Sequence, residues 1–230
     1  MNGTLRSELT TPVLRRFSAI ELLIVLAALF VSFPFIETLQ AGGLIESILL
    51  TLVLISALLA IARRRRSAII ATLLALPTLA GRWINHYRPD LVTPEVFLIG
   101  GILFVLFVVG NLLRFVLKAP SVNTEVLCAS ISAYLLLGLL WAFGYWLVAE
   151  ITPDAFAFNA STGADSSMKG FNGLYFSFIT LSTAGYGDIT PVAKAARMLA
   201  AMEAITGLLY VAVLIARLVA IQATPKSNDS

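Results

Sequence analysis

Long apolar stretches separated by short polar breaks organise this chain. Six of them reach the roughly 20 residues that a helix needs to cross a bilayer. They run over about Phe17–Ile36, Leu44–Ala62, Ser67–Asn85, Val96–Leu117, Val122–Ala149 and Val192–Ile221. A seventh run, Asn172 to Ser182, is mostly apolar but too short to span. It reads as a re-entrant helix, with Asn172 as its N-cap. The Gly-rich stretch behind it can lie at membrane depth only where it lines a water-filled path. The pattern predicts an all-α membrane protein with six transmembrane helices and one re-entrant helix.

Composition supports the same class. Hydrophobic residues make up 59% and charged residues 13%, and mean hydropathy is +0.91, which excludes an ordinary soluble domain of this length. Basic residues set the expected orientation. Arg15, Arg16, Arg63 to Arg66, Lys118 and Lys226 fall on one side of a six-crossing chain, against Arg82 and Arg88 on the other. The first side is expected to be cytoplasmic, with both termini there, and the membrane to be a plasma (inner) membrane. The first segment is too long for a cleavable signal, and no small-residue cleavage site follows it. The net charge of +3 invites a nucleic-acid reading, but orientation in the membrane explains the arginine run. Cys128 is the only cysteine, so an intrachain disulfide and a cysteine metal site are both excluded. His86 is a lone loop residue, and the sequon at Asn159-Ala160-Ser161 is most simply chance. No cluster of His, Cys or carboxylate residues suggests an enzyme, and no cofactor is expected.

Between the short run and the last segment lies Thr183-Ala184-Gly185-Tyr186-Gly187-Asp188. Tyr175 to Ser182 precedes it, and Ile189-Thr190-Pro191 and a helix follow. This constellation resembles the potassium-channel pore family, whose filter usually reads Thr-Val-Gly-Tyr-Gly-Asp; Ala184 stands at the Val position. The resemblance is specific over roughly Val122 to Ile221. It implies that the backbone carbonyls of Thr183, Ala184, Gly185 and Tyr186, with the Thr183 hydroxyl, replace the hydration shell of K⁺ as the permeant ion. Such a strand needs positive φ at some positions, and Gly185 and Gly187 tolerate it. Ala184 is expected to face the short helix, and Tyr186 to wedge among aromatics of its own or a neighbouring subunit. Asp188 is expected to be braced by Tyr175, thirteen residues earlier, where relatives often carry Trp. Phe176 is apolar, and Ile179 stands where some relatives have an acidic residue, so one brace of the family pattern is missing.

The family layout assigns 1–118 to a four-helix, voltage-sensor-like domain, 119–222 to the pore domain, and 223–230 to a short cytoplasmic tail. Lys118-Ala119-Pro120 marks the division. The polar stretch Glu150 to Gly170 is expected to be an exposed turret, its Asp154 and Asp165 either drawing cations to the mouth or merely solvated. One filter strand cannot surround an ion and no second copy occurs in the chain, so a homotetramer in a lipid bilayer is implied. The tail is too short for a ligand-binding domain. In the last segment, Gly207 is either a hinge or a site of close packing, and Leu208, Val211 and Ile215 follow on a face that suits the cavity. Glu203 is either bonded behind the short helix, to Thr180 or Ser182, or simply a satisfied, protonated carboxyl.

A voltage sensor needs roughly 3–4 gating charges per subunit. Val96 to Leu113 carries none; Arg114 and Lys118 sit at its end. The resemblance therefore implies a potassium-selective channel on a sensor-like scaffold without its charges. The alternatives are a weakly selective cation channel and a non-conducting regulatory subunit.

Overall fold

The computed structural model describes residues 18–36, 39, 42–61, 65–88, 90–91, 93–159 and 167–223. Arg15, Arg16, Arg63, Arg64, Asp165, most of the sequon and the tail beyond Ala223 lie outside the described residues. The helices, in chain order, are α1 (Ser18–Ile36), α2 (Gly42–Ile61), α3 (Arg65–Tyr87), α4 (Pro94–Lys118), α5 (Thr124–Ile151), α6 (Phe171–Leu181) and α7 (Lys194–Ala223). Six are long and apolar enough to cross a membrane, and α6 is the short one. Each spanning helix ends within a few residues of its sequence-predicted limit.

Local chemistry explains the boundaries. Pro94 occupies the first turn of α4, where a missing N–H costs nothing. That helix ends at Ala119, whose extended backbone leads into Pro120. After a five-residue link the chain re-enters a helix at Asn123, whose side chain accepts the Val126 N–H at 2.9 Å. So short a link keeps α4 and α5 adjacent, and theirs is the most extensive packing between any two elements. Phe104, Val105, Val108, Leu112 and Val116 of α4 and Ala129, Ala133 and Leu136 of α5 are buried in one core. Helix α1 joins that core, with Phe30 edge-on to Phe178 of α6 at 5.0 Å. Helices α1 and α4 thus pack directly on α5 of their own chain, while α2 and α3 pack on α1 and α4.

One ion pair is buried at the far end of this bundle. Arg82 of α3 meets Glu46 of α2 at 2.7 Å, with Arg82 only 14% exposed. Its guanidinium also lies over the rings of Phe97 and Trp146. Arg82 therefore ties α2 and α3 to α4 and α5.

Helix α6 is held between α5 and α7. Two glycines allow it to come close. A Cβ at Gly138 of α5 would lie 2.4 Å from the Phe178 ring, and one at Gly207 of α7 would lie 2.0 Å from the Leu181 carbonyl oxygen.

Two expectations are corrected. Asn172 does not cap α6: the cap position is Gly170, at φ +63°, without a side-chain cap bond. Asn172 instead donates back to the Ser167 carbonyl at 3.0 Å, because Gly170 reverses the chain two residues earlier than the Asn signal suggests. The stretch Glu150 to Gly170 is not simply an exposed polar loop. Phe156–Phe158 forms β1, antiparallel to β2 (Ile189–Pro191), with Ala157 opposite Thr190. Ala155, Phe156 and Met168 are buried in a second core with Tyr145 and Phe176. Apolar side chains close to the bundle end gain more by covering it than by facing water. Asp154 retains a place in the turn before β1, at φ +54°.

Gly138→Ala is expected to destabilise the protein by about 1–3 kcal/mol, the usual effect of overpacking. Because Phe178 is what the new methyl meets, Phe178→Leu in the same chain should recover part of that loss. Thermal unfolding of the two single variants and the double variant in one detergent measures it; strictly additive losses would contradict the contact.

Candidate functional site

Residues 182–188 leave the end of α6 in a turn. The Ser182 N–H bonds the Phe178 carbonyl at 3.0 Å, and the Thr183 N–H bonds the Thr180 carbonyl at 2.9 Å. The Gly185 N–H then reaches back to the Ile179 carbonyl at 3.1 Å. The strand is thereby tethered along α6 by its own amides.

Backbone dihedrals show what the glycines are for. Gly185 has φ +51° and Gly187 has φ +78°, as the sequence predicts. Thr183 also lies at φ +59°, which sequence reading missed because a β-branched residue resists that region. Left-handed backbone thus recurs at 183, 185 and 187, while Ala184 and Tyr186 between them do not share it. No atom lies within 4 Å of a Cβ built on either glycine. What a side chain would meet there is backbone strain.

The brace between helix and strand is present. Tyr175 donates to Asp188 Oδ2 at 2.7 Å, and Asp188 Oδ1 accepts the Ile189 N–H at 3.0 Å. Burial first, and then the neighbouring carboxylate, push the Tyr175 phenol up to about 12, so it remains a donor throughout the neutral range. The turret reinforces the same point: the Asn159 N–H bonds the Asp188 carbonyl at 2.9 Å. Sequence reading missed this tie, because the three residues of the neighbouring β1 are too few to show an alternation.

Tyr186 and Ala184 depart from expectation within one chain. Tyr186 is 75% exposed, so it does not wedge among aromatics of its own chain. Ala184 is exposed rather than packed on α6. The aromatics of α6 are already engaged: Phe176 packs edge-on against Tyr145 at 4.8 Å and Phe156 at 5.7 Å.

On α7, Leu208, Val211 and Ile215 are all exposed. Gly207 is a close-packing site, since it lies against the Leu181 carbonyl. Glu203 is fully buried. Its partners are not Thr180 and Ser182 but Ser177, at 2.6 Å from Oε1, and Tyr145, bonded to Oε2. Ser182 turns its hydroxyl back onto the Phe178 carbonyl. The contact Gly207 makes with Leu181 slides α7 so that residue 203 lies one helical turn back along α6, opposite Ser177.

Another residue ties the far end of α7 to the link between α4 and α5. Arg217 Nη2 donates to the Ala119 carbonyl at 3.1 Å, satisfying an orphan acceptor at the end of α4. A basic residue deep in an apolar segment was the signal that could have found it. Among the described residues, no group of His, Cys, Asp or Glu is arranged to hold a metal ion.

Residues 131–222 match a family model described as ion channel. The match begins inside α5 and ends at the last turn of α7, so it takes in α6, residues 182–188 and β2. It supports an ion-channel family for this part of the chain and a transport role rather than an enzymatic one. Together with six apolar helices of spanning length, it marks an integral membrane protein. No curated protein and no solved structure matches the chain.

Tyr175→Phe should destabilise the strand by about 1.5–3 kcal/mol, the range for a hydrogen bond to a charged acceptor. The expected result is a lower unfolding temperature with the secondary structure retained, read by circular dichroism on the purified protein. An unchanged melt would show that the bond contributes nothing.

Proposed function

We propose that this chain is one protomer of a homotetrameric channel that conducts K⁺ passively across a membrane. The observation that carries this reading is the backbone of residues 183–187. An extended strand points successive carbonyls to opposite sides. Alternating the sign of φ gathers them on one side, and the Gly185 N–H, committed to Ile179, leaves the other side to the carbonyls. Four such strands around an axis would offer rings of oxygens in place of water, with the Thr183 hydroxyl at the cavity end.

The unpartnered surfaces support the tetramer. The filter strand and most of α7 are exposed in a single chain, including Leu208 at 60% and Ile215 at 56%. Four copies would cover these apolar positions around a common path, with Leu208, Val211 and Ile215 lining a cavity and Tyr186 wedged against a neighbour. Helix α6 is then the re-entrant pore helix, its C-terminal end directed at the cavity and favouring a cation there. Residues 1–118 form the sensor-like domain and 119–222 the pore, with both termini cytoplasmic.

A weakly selective cation channel is the second reading, favoured by the exposed, small Ala184 behind the strand. Reversal potentials in mixed K⁺ and Na⁺ separate the two, and a lack of flux through purified protein in liposomes would point to a regulatory subunit.

Two outcomes test the proposal. Gly185→Ala forces an L-residue into left-handed backbone at about 1–2 kcal/mol per chain, four times over in a tetramer. It should abolish selective K⁺ flux, whereas Ala184→Val, at a position with ordinary φ, should conduct with equal or sharper selectivity. Normal flux through Gly185→Ala with none through Ala184→Val would overturn the strand geometry. Open probability should also vary little with voltage, because Val96 to Leu113 carries no charge. A steep activation curve lost on neutralising Arg114 would contradict this.

A further inference from the structure

The buried cluster around Glu203 contains more short oxygen contacts than an ionised carboxylate can supply with hydrogens. Tyr145 meets Glu203 Oε2. Ser177 Oγ lies 2.6 Å from Glu203 Oε1 and also 2.7 Å from the Gly138 carbonyl. Three oxygen–oxygen contacts at hydrogen-bond distance need three hydrogens. The tyrosine and serine hydroxyls supply one each, a carbonyl supplies none, and an ionised carboxylate only accepts.

We infer that Glu203 is held as a neutral carboxylic acid that donates to Ser177, closing a directed chain from Tyr145 through Glu203 and Ser177 to the Gly138 carbonyl. Every contact then has its hydrogen. The chain joins α7 to α6 through Ser177, to α5 through Tyr145, and returns to α5 at Gly138. Glu203 is thus a positioning residue that fastens the helix carrying the filter strand to both of its neighbours.

The surroundings agree with a neutral group. Glu203 and Ser177 are fully buried, and Tyr145 is too. Among the described residues no cation is paired with Glu203. Of the groups in contact with it, α5 contributes Tyr145 and α6 contributes Ser177, and the Tyr134 hydroxyl of α5 lies within electrostatic range. On its own helix the nearest basic residue, Arg197, is turned onto the Pro191 carbonyl. A lone carboxylate in such a place would lose its hydration without a counter-charge.

The role in holding the filter rests on the channel reading above; the protonation state does not. The test therefore uses two readouts on the full-length protein in liposomes at neutral pH. Infrared difference spectra of wild type minus Glu203→Gln should show a protonated-carboxyl C=O stretch. A difference confined to carboxylate bands would overturn the inference, whether or not the protein conducts. For positioning, Glu203→Gln can donate to Ser177 and accept from Tyr145 as the acid does, so it should keep K⁺ flux and selectivity. Glu203→Leu and Ser177→Ala break the chain and should each lose at least tenfold in selective flux while still assembling. If the two broken variants conduct like wild type, or Glu203→Gln fails as they do, the positioning role is wrong.

Discussion

The strand at residues 183–188 takes its shape from α6, which is seated tightly between α5 and α7. Here the strand is satisfied by the helix it has just left, through the Gly185 and Thr183 amides, and by Asp188 at its far end. Both kinds of contact require α6 to be fixed in rotation and in height. Gly138 and Gly207 fix it sterically, since each removes the one atom that would hold a neighbour away. In a membrane, where lipid tails are as apolar as leucine, such close approach is a main source of helix association.

Polar groups then set the register that close packing alone would leave loose. Ser177, Tyr145 and Glu203 meet between α5, α6 and α7, and Arg82 and Glu46 meet between α2 and α3. An unpartnered polar group at either place would cost several kcal/mol, so sliding a helix by one turn is disfavoured far more than any apolar mismatch would make it. Apolar contacts supply the cohesion here, and the few buried polar contacts select one alignment.

The spanning helices were legible in the sequence because an unbroken apolar run of about 20 residues matches the thickness of a bilayer and exceeds what most buried core helices need. The Tyr175–Asp188 brace was legible too, through its fixed spacing within a recognisable motif. What escaped depends on how elements sit against one another. Glu203 was expected opposite Thr180 or Ser182, and the difference from Ser177 is one turn of α6, which nothing in either helix alone specifies. The pairing of β1 with β2 joins segments more than thirty residues apart, and its three residues per strand are too few for a clear alternation. Thr183 went unnoticed because its side chain argues against the backbone it adopts. There the tethers on either side overrule local preference.

Helices α1 and α4 rest on α5 of their own chain, α4 across a link of only five residues, and Arg217 closes the same corner from α7. These contacts are intramolecular, so their formation is independent of protein concentration. The larger core, to which α1 to α6 all contribute, is therefore completed within a single chain.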